Sequence, residues 1–248
     1  MCLTHSAGFG NFWFTEPDYK EHIHFAPGSR FSYSGEGLML LQFAVEHGNE
    51  PLGIDVGSLT DAIFAKLGMT KTSLMMRPDL FTNPDGLANG FDDKGNAHPP
   101  NRSKRVRAAG SMNTTIEDIS KFAAALVTGE GLSKAAHEEM LKPQLHITTK
   151  HEFPVLQPEL PASEQRKDPY MGLGVEVFAG PQGPGFVKGG HDEQTGNTMV
   201  CLERSEKCAV ILSNDVRAER GFTELVTFIL GDTGVPYDWE YGNYAGKS

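Results

Sequence analysis

The sequence is poor in cysteine and in basic residues, and it has no long apolar run. Its 248 residues include three cysteines, and 22 lysines and arginines stand against 32 acidic residues, for a net charge of −10. So acidic a chain is a poor partner for nucleic acid or an anionic membrane, and no apolar stretch approaches the roughly 20 residues of a bilayer span. The first eleven residues lack the basic and apolar regions of a signal peptide. We therefore expect a globular protein, and the sequence does not assign its compartment.

Three cysteines are too few for a disulfide framework. Cys201 lies on a predicted strand and Cys208 at the start of the next, on either side of a polar turn at 204–207. An even-length turn would place them opposite each other, within reach of a disulfide. Two small apolar residues in a sheet are the commoner arrangement, and we favour that interpretation over a bond.

The first 150 residues predict helices and loops. Apolar spacing and capping residues predict helices at 31–47, 58–67, 116–127 and 133–141. The first is so rich in apolar residues that we expect it to be deeply buried. Ser58 and Thr115 are the expected N-caps of the second and third helices. Residues 77–113 contain many prolines and glycines and predict a long irregular loop.

The rest of the chain predicts an antiparallel sheet. Residues 150–169 have the composition of an exposed excursion, and strands are predicted at 171–179, 185–188, 198–202 and 209–214, before a helix at 222–230. Helices followed by antiparallel strands indicate an α+β fold. We expect one domain over 1–248, mainly helical and loop in 1–150, with the sheet and the C-terminal helix in 168–248.

Five short motifs follow one another along the chain. They are Leu-Thr-His-Ser-Ala-Gly at 3–8, Phe-Ala-Pro-Gly-x-x-Phe-x-Tyr-Ser at 25–34, Ala-Ala-Gly-Ser-Met-Asn-Thr-Thr-Ile-Glu-Asp at 108–118, Tyr-Met-Gly-Leu-Gly at 170–174, and Gly-His-Asp-Glu-Gln-Thr-Gly at 190–196. In this order and spacing they resemble the serine β-lactamase-like superfamily, which includes class C β-lactamases, penicillin-binding proteins, esterases and D-aminopeptidases. The resemblance implies a β-lactamase-like fold and acyl transfer through a serine, without a cofactor.

Tyr33 is the central candidate residue. The resemblance implies that it exchanges a proton with the nucleophilic serine and then with the leaving group or water; the alternative is a core tyrosine with a satisfied hydroxyl. Ser34 and Gly35 follow it as candidate substrate-binding residues. Gly35 stands where class C enzymes carry an asparagine that contacts substrate, which favours an esterase- or peptidase-like relative. Ser34 is better explained as a helix cap than as a nucleophile.

The third motif of the superfamily falls at Gly190, His191, Asp192 and Glu193. The resemblance implies that His191 contacts a substrate carbonyl or carboxylate and positions the tyrosine, while the other three line the substrate groove. Glu193 stands where the family usually has glycine, and its charge would oppose an oxyanion. The alternative for His191 is an ordinary histidine at a strand end.

Two further groups of residues carry weaker signals. His22 and His24 point to one side of an extended segment, but no third ligand is suitably spaced, so we expect a surface role and no metal. A basic cluster at Arg102, Lys104, Arg105 and Arg107 could attract anionic substrates, although a solvated loop is the commoner explanation.

The first motif of the superfamily, Ser-x-x-Lys, is absent, since no lysine has a serine three positions before it. In the superfamily this motif opens a buried helix before the Leu-Thr-His segment, so we interpret the chain as N-terminally truncated. Its substrates would be esters, D-peptides or β-lactam-like compounds. The alternatives are a non-catalytic binding or oligomerising module, or one half of a split enzyme. Faces around Leu38, Leu41 and Phe122 would then be uncovered, which predicts a homodimer or a domain swap.

Overall fold

The computed structural model describes residues 1–48, 54–79, 86–100 and 102–240. Its main feature is a six-stranded antiparallel sheet whose strands neighbour each other in chain order. These strands are β3 (Leu145–His146), β4 (Tyr170–Met171), β5 (Glu176–Gly180), β6 (Gly183–His191), β7 (Gly196–Leu202) and β8 (Lys207–Ser213). A separate hairpin, β1 (Gly90–Phe91) with β2 (Ala97–His98), lies in the predicted long loop. The predicted α+β class is confirmed.

One predicted strand is two strands. The segment 171–179 is broken after Met171, and the chain resumes at Glu176. The intervening turn is closed by a hydrogen bond from the Gly172 amide to the Val175 carbonyl, and Gly174 has a φ of 87°. Glycine adopts that left-handed conformation without steric cost, so the turn inverts the chain between β4 and β5.

The helices are α1 (Gly35–His47), α2 (Val56–Lys66), α3 (Ile116–Thr128), α4 (Lys134–Leu141), α5 (Phe222–Leu230) and α6 (Tyr237–Glu240). The first begins four residues later than predicted because Ser34 is its extended N-cap. The second is capped by Asp55, whose side chain accepts the Ser58 amide at 2.8 Å, and the prediction that Ser58 is the cap was wrong. Thr115 caps α3 as predicted, by accepting the Asp118 amide.

The sheet has a core on each face. On one face, α3 contributes Ala123 and Val127 to a cluster with Phe186. On the other, α5 contributes Val226 to a cluster with Val200. The alternation of side chains along a strand therefore serves two apolar layers, and β6 and β7 run between them.

The predicted deep burial of α1 was wrong. Only Gly35 and Gly37 of this helix are buried, and Phe43 is 60% exposed. The helix contacts the short turn Cys2–Thr4 and α2, and in the described part of the chain these contacts leave its outer side open. Apolar density alone therefore misled the prediction, because burial depends on what packs against the helix.

Cys201 and Cys208 form a disulfide, so the interpretation as two free apolar residues was wrong. They are direct partners in the β7–β8 register, with their Cα atoms 4.1 Å apart. The even-length turn considered in the sequence produces this pairing. Cys2 is a free cysteine.

The segment 150–169 is tied to α6 rather than extended into solvent. The Trp239 indole donates to the Thr149 hydroxyl at 3.1 Å, and the Glu152 amide donates to the Trp239 carbonyl at 3.0 Å. Arg166 forms an ion pair with Asp238. Trp239 is buried beside Phe31, so α6 anchors this segment to the core. The expected excursion is therefore held against α6, while parts of it such as 161–164 are exposed as expected.

Within the described ranges, no helix combines the length and the apolar character needed to cross a bilayer.

Candidate active site

Tyr33 lies in the extended segment just before α1, with its side chain half-buried. The two neighbouring residues fix its orientation. The Ser32 amide donates to the His5 carbonyl at 2.8 Å, and the Ser34 amide donates to His5 Nδ1 at 3.2 Å. Because side chains alternate along an extended chain, burying Ser32 and Ser34 turns the phenol between them the other way.

Three side chains surround the Tyr33 ring. His5 stacks on it with ring centroids 4.2 Å apart, Phe153 lies 5.3 Å away, and Lys188 Nζ lies 5.1 Å from the ring centroid. No hydrogen bond joins the Tyr33 hydroxyl to a residue of the described ranges. The phenol is thus held by its ring, which leaves its oxygen for another partner.

His5 is a neutral, buried partner of the phenol. Its pKa is lowered to about 3, mainly by burial and also by the charge of Lys188, against the Ser34 amide bond. Its Nδ1 accepts that amide, so the hydrogen of the neutral ring lies on Nε2. The sequence contained this signal, because His5 is the histidine of the Leu-Thr-His motif, but we gave it no role.

Lys188 is one of the residues of this candidate site that sequence reasoning missed. It lies in β6, paired with Met199, and its Nζ donates to the Gly189 carbonyl at 2.8 Å. Burial lowers its pKa, but Tyr33 and the carboxylates of Glu176, Glu152 and Glu240 outweigh burial, and the net shift of its pKa is upward. The ammonium group is therefore charged at neutral pH. The available signal was a lysine within a strand whose neighbours are apolar.

The carboxyl groups near Lys188 are themselves perturbed. Burial raises the pKa of Glu176, whereas the Lys188 charge opposes that rise. Burial and then the charge of Glu176 raise the pKa of Glu152 well above its ordinary value. Glu176 Oε2 is buried without a hydrogen-bond partner in the described structure. Several acidic side chains share the charge of Lys188, so burying this cluster costs folding free energy.

His191 ends β6 and lies beside Phe153. Its Nδ1 lies 2.7 Å from Glu219 Oε1, and the two rings of His191 and Phe153 are 6.2 Å apart. The Glu219 hydrogen bond raises the pKa of His191, burial opposes this, and the charges of Asp192 and Glu152 add to the rise. The phenol and the imidazole therefore flank the same aromatic ring.

The remaining candidate residues lie at varying distances from that centre. The Ser34 hydroxyl is buried, donates to the Gly10 carbonyl at 2.8 Å and accepts the Gly37 amide, so it serves as a cap. Gly35 packs against Phe12, and a Cβ at position 35 would come within 2.4 Å of that ring. These contacts turn both residues towards the N-terminal segment.

The turn after His191 holds the other three candidates. Asp192 Oδ1 accepts the amides of Gln194 and Thr195, each at 2.7 Å, and so closes the β6–β7 turn. Gly190 and Glu193 are exposed beside it. Their role in substrate binding stays a prediction.

The two histidines and the basic cluster lie at the protein surface. His22 pairs with Asp18 at 2.9 Å and His24 with Glu16 at 2.7 Å. Within the described ranges, no group of three or more His, Cys, Asp or Glu side chains could hold a metal ion. The four basic residues of the cluster at 102–107 are all exposed.

The chain resembles known proteins at two levels, a family model and solved structures. The family model described as Beta-lactamase matches residues 1–231. A penicillin-binding protein from Bacillus halodurans is similar with a TM-score of 0.68 and 19% identity, covering 92% of this chain and 72% of its own. A class C β-lactamase has a TM-score of 0.63 and 16% identity, covering 86% of this chain and 63% of its own.

A D-stereospecific amidohydrolase from Streptomyces sp. has a TM-score of 0.64 and 16% identity, covering 87% of this chain and 67% of its own. The chain thus spans about two thirds of the length of these structures, and at such identities the likeness shows the fold alone. No curated protein matches the chain.

Proposed function

The chain belongs to the Beta-lactamase family of serine hydrolases, and on that premise we propose that it carries the proton-relay side of an acyl-transfer site. The observation that carries the proposal is Tyr33 beneath the Lys188 ammonium, 5.1 Å from ring centroid to Nζ. A phenol ionises near pH 10 in water, so it needs a neighbouring cation to move protons at neutral pH. Lys188 supplies such a cation within the chain.

The acyl-accepting serine belongs to a segment outside these 248 residues. The sequence has no Ser-x-x-Lys, and the hydroxyl of Ser34 is already engaged. In this scheme Tyr33 takes the proton of the incoming serine, returns it to the leaving group, and repeats the transfer with water. His191 contacts the substrate. Esters, D-peptides and β-lactam-like compounds are the proposed substrates.

A binding or oligomerising module is the second candidate. Phe153 lies beside both Tyr33 and His191, and a ring in that position would suit a cleft that no longer turns over substrate. Exposed apolar side chains on α1 and α5, including Phe43 and Phe228, would suit a homodimer, a domain swap or a partner chain.

The test combines a fluorophosphonate probe with a nitrophenyl-ester assay. We expect neither labelling nor turnover by this chain alone, and both once a fragment bearing Ser-x-x-Lys is added. Tyr33→Phe should then lower kcat by about 100-fold or more, the usual scale of a lost proton carrier. Tyr19→Phe is the matched control, because Tyr19 is 69% exposed.

The outcomes separate the two candidates. Labelling of a serine within this chain would contradict an external nucleophile. Full activity of the reconstituted Tyr33→Phe protein would reject the role of Tyr33. Folded, associated protein that never reacts with probe or ester would favour the binding module.

A further inference from the structure

Glu219 is a buried carboxylate that faces the imidazole of His191. Its side chain is 1% exposed, that of His191 is 44% exposed, and the atoms Oε1 and Nδ1 are 2.7 Å apart. Glu219 lies in the turn Val216–Gly221, which Asp215 caps by accepting the Arg217 amide. Burying a carboxylate costs free energy unless a specific partner offsets the lost hydration, and here that partner is the imidazole.

The sheet makes room for this carboxylate at Gly196. His191 and Gly196 are register partners at the ends of β6 and β7. A Cβ on Gly196 would come within 2.5 Å of Glu219 Cγ and 2.6 Å of Oε1. Any side chain there would displace the carboxylate, so three elements cooperate to bring Glu219 against the histidine.

This hydrogen bond selects one tautomer of the ring. A carboxylate can only accept, so Nδ1 of His191 must carry a hydrogen. The neutral ring then has a free lone pair on Nε2, and no hydrogen bond of Nε2 to a described residue competes for it. An unrestrained histidine side chain prefers the opposite tautomer, with the hydrogen on Nε2.

We propose that Glu219 is a positioning residue that fixes His191 in the Nδ1–H tautomer and makes Nε2 a proton acceptor at the edge of the site. The pair is then a base and its orienting carboxylate. When an O–H group of the bound substrate delivers its proton to Nε2, the oxygen keeps the electron pair, and Glu219 stabilises the imidazolium that forms. This base role rests on the proposed function, whereas the fixed tautomer does not.

The test reads the tautomer directly by long-range ¹H–¹⁵N NMR, with His191→Gln used to assign the signal among the nine histidines. In the wild-type chain above the titration midpoint we expect the Nδ1–H form. Glu219→Gln removes the charge with little change of shape. It should lower the midpoint of His191 by about one pH unit and let the Nε2–H form appear. Asp192 and Glu152 also face His191 and stay unchanged in this variant.

A pair of glycine variants tests the geometry. Gly196→Ala should displace Glu219 and raise the share of the Nε2–H form. Gly221→Ala lies in the same turn as Glu219, but its Cβ would meet nothing within 4 Å, so it should leave the tautomer unchanged. Circular dichroism confirms that each variant is folded.

The outcomes are distinct from those of the proposed function. A His191 signal with the same tautomer and midpoint in wild type and Glu219→Gln would overturn the positioning role. If the tautomer behaves as expected while the reconstituted Glu219→Gln enzyme keeps its full kcat, the base role fails and the positioning remains. Inactivity of the reconstituted wild type would count against the proposed function and leave the NMR result standing.

Discussion

Lys188 is the cation that several acidic side chains near Tyr33 share. We expect Lys188→Met to lower the free energy of unfolding by about 2 kcal/mol near pH 7, because the remaining carboxylates lose their cation. Urea unfolding followed by circular dichroism measures this change.

Glu176 provides the control for that prediction. The double variant Lys188→Met, Glu176→Gln should recover part of the loss, since it also removes a buried charge. Equal stability of wild type and Lys188→Met would show that the lysine is not coupled to these acids.

The sequence alone identified those residues whose placement depends on their neighbours along the chain. Tyr33 and the Ser34 cap follow from the chain around them. Lys188, Phe153 and Glu219 were missed because distant segments bring them together, as with Glu219 and His191, which are 28 residues apart. Only the strand register and the docked loop create those contacts.

The β7–β8 hairpin is held by the bond between Cys201 and Cys208. Replacing both with alanine should lower the free energy of unfolding by about 2 kcal/mol, because the short closed loop restricts the unfolded chain. Urea unfolding with and without reductant measures this. Cys2→Ser is the control and should behave like wild type, whereas an unchanged midpoint in the double variant would contradict the prediction.

Helix α3 is joined to the segment before residue 73 through Asp118. Its carboxylate accepts the Lys71 amide at 2.6 Å and the Thr72 hydroxyl at 2.9 Å, and pairs with Lys121 at 3.2 Å. Burial raises the pKa of Asp118, but these bonds outweigh burial and lower it below its ordinary 3.8. Asp118→Asn should therefore cost about 2 kcal/mol at pH 7, the usual scale of hydrogen bonds to a charged group.

The pH dependence of that difference has a definite sign. A depressed folded-state pKa gives stabilisation that is complete above pH 3.8 and is lost as the pH falls through the folded-state value. The stability difference between wild type and Asp118→Asn should therefore shrink in acid. A difference that stays constant down to the acid transition would contradict the charge-based explanation.

Element prediction succeeded where the signal is local. Thr115, the helix at 222–230 and the turn between β7 and β8 were recognised from neighbouring residues. The burial of α1 was not, because apolar density does not say which segment will cover a helix. The Asp55 cap was missed because Ser58 offered a competing hydroxyl three residues later.

At the scale of the whole molecule, an apolar stripe on α5 is exposed. Leu225, Phe228 and Ile229 share one helix face and are 48%, 89% and 54% exposed. We propose that this stripe drives self-association, so sedimentation velocity should show species larger than the monomer at micromolar concentration. Phe228→Glu should shift the chain towards monomer.

Thr223→Glu is the matched control, because it adds the same charge at another exposed position of α5. It should leave the distribution close to wild type. A wild-type chain that stays monomeric over the whole concentration range would contradict the prediction.

Helix α6 supports the candidate site through Trp239. Trp239 lies in the core cluster against which Tyr33 packs, and its indole and carbonyl hold the loop that carries Phe153. The same tryptophan therefore supports both the phenol and one of the rings beside it. A change at Trp239 would alter the surroundings of Tyr33 through two contacts at once.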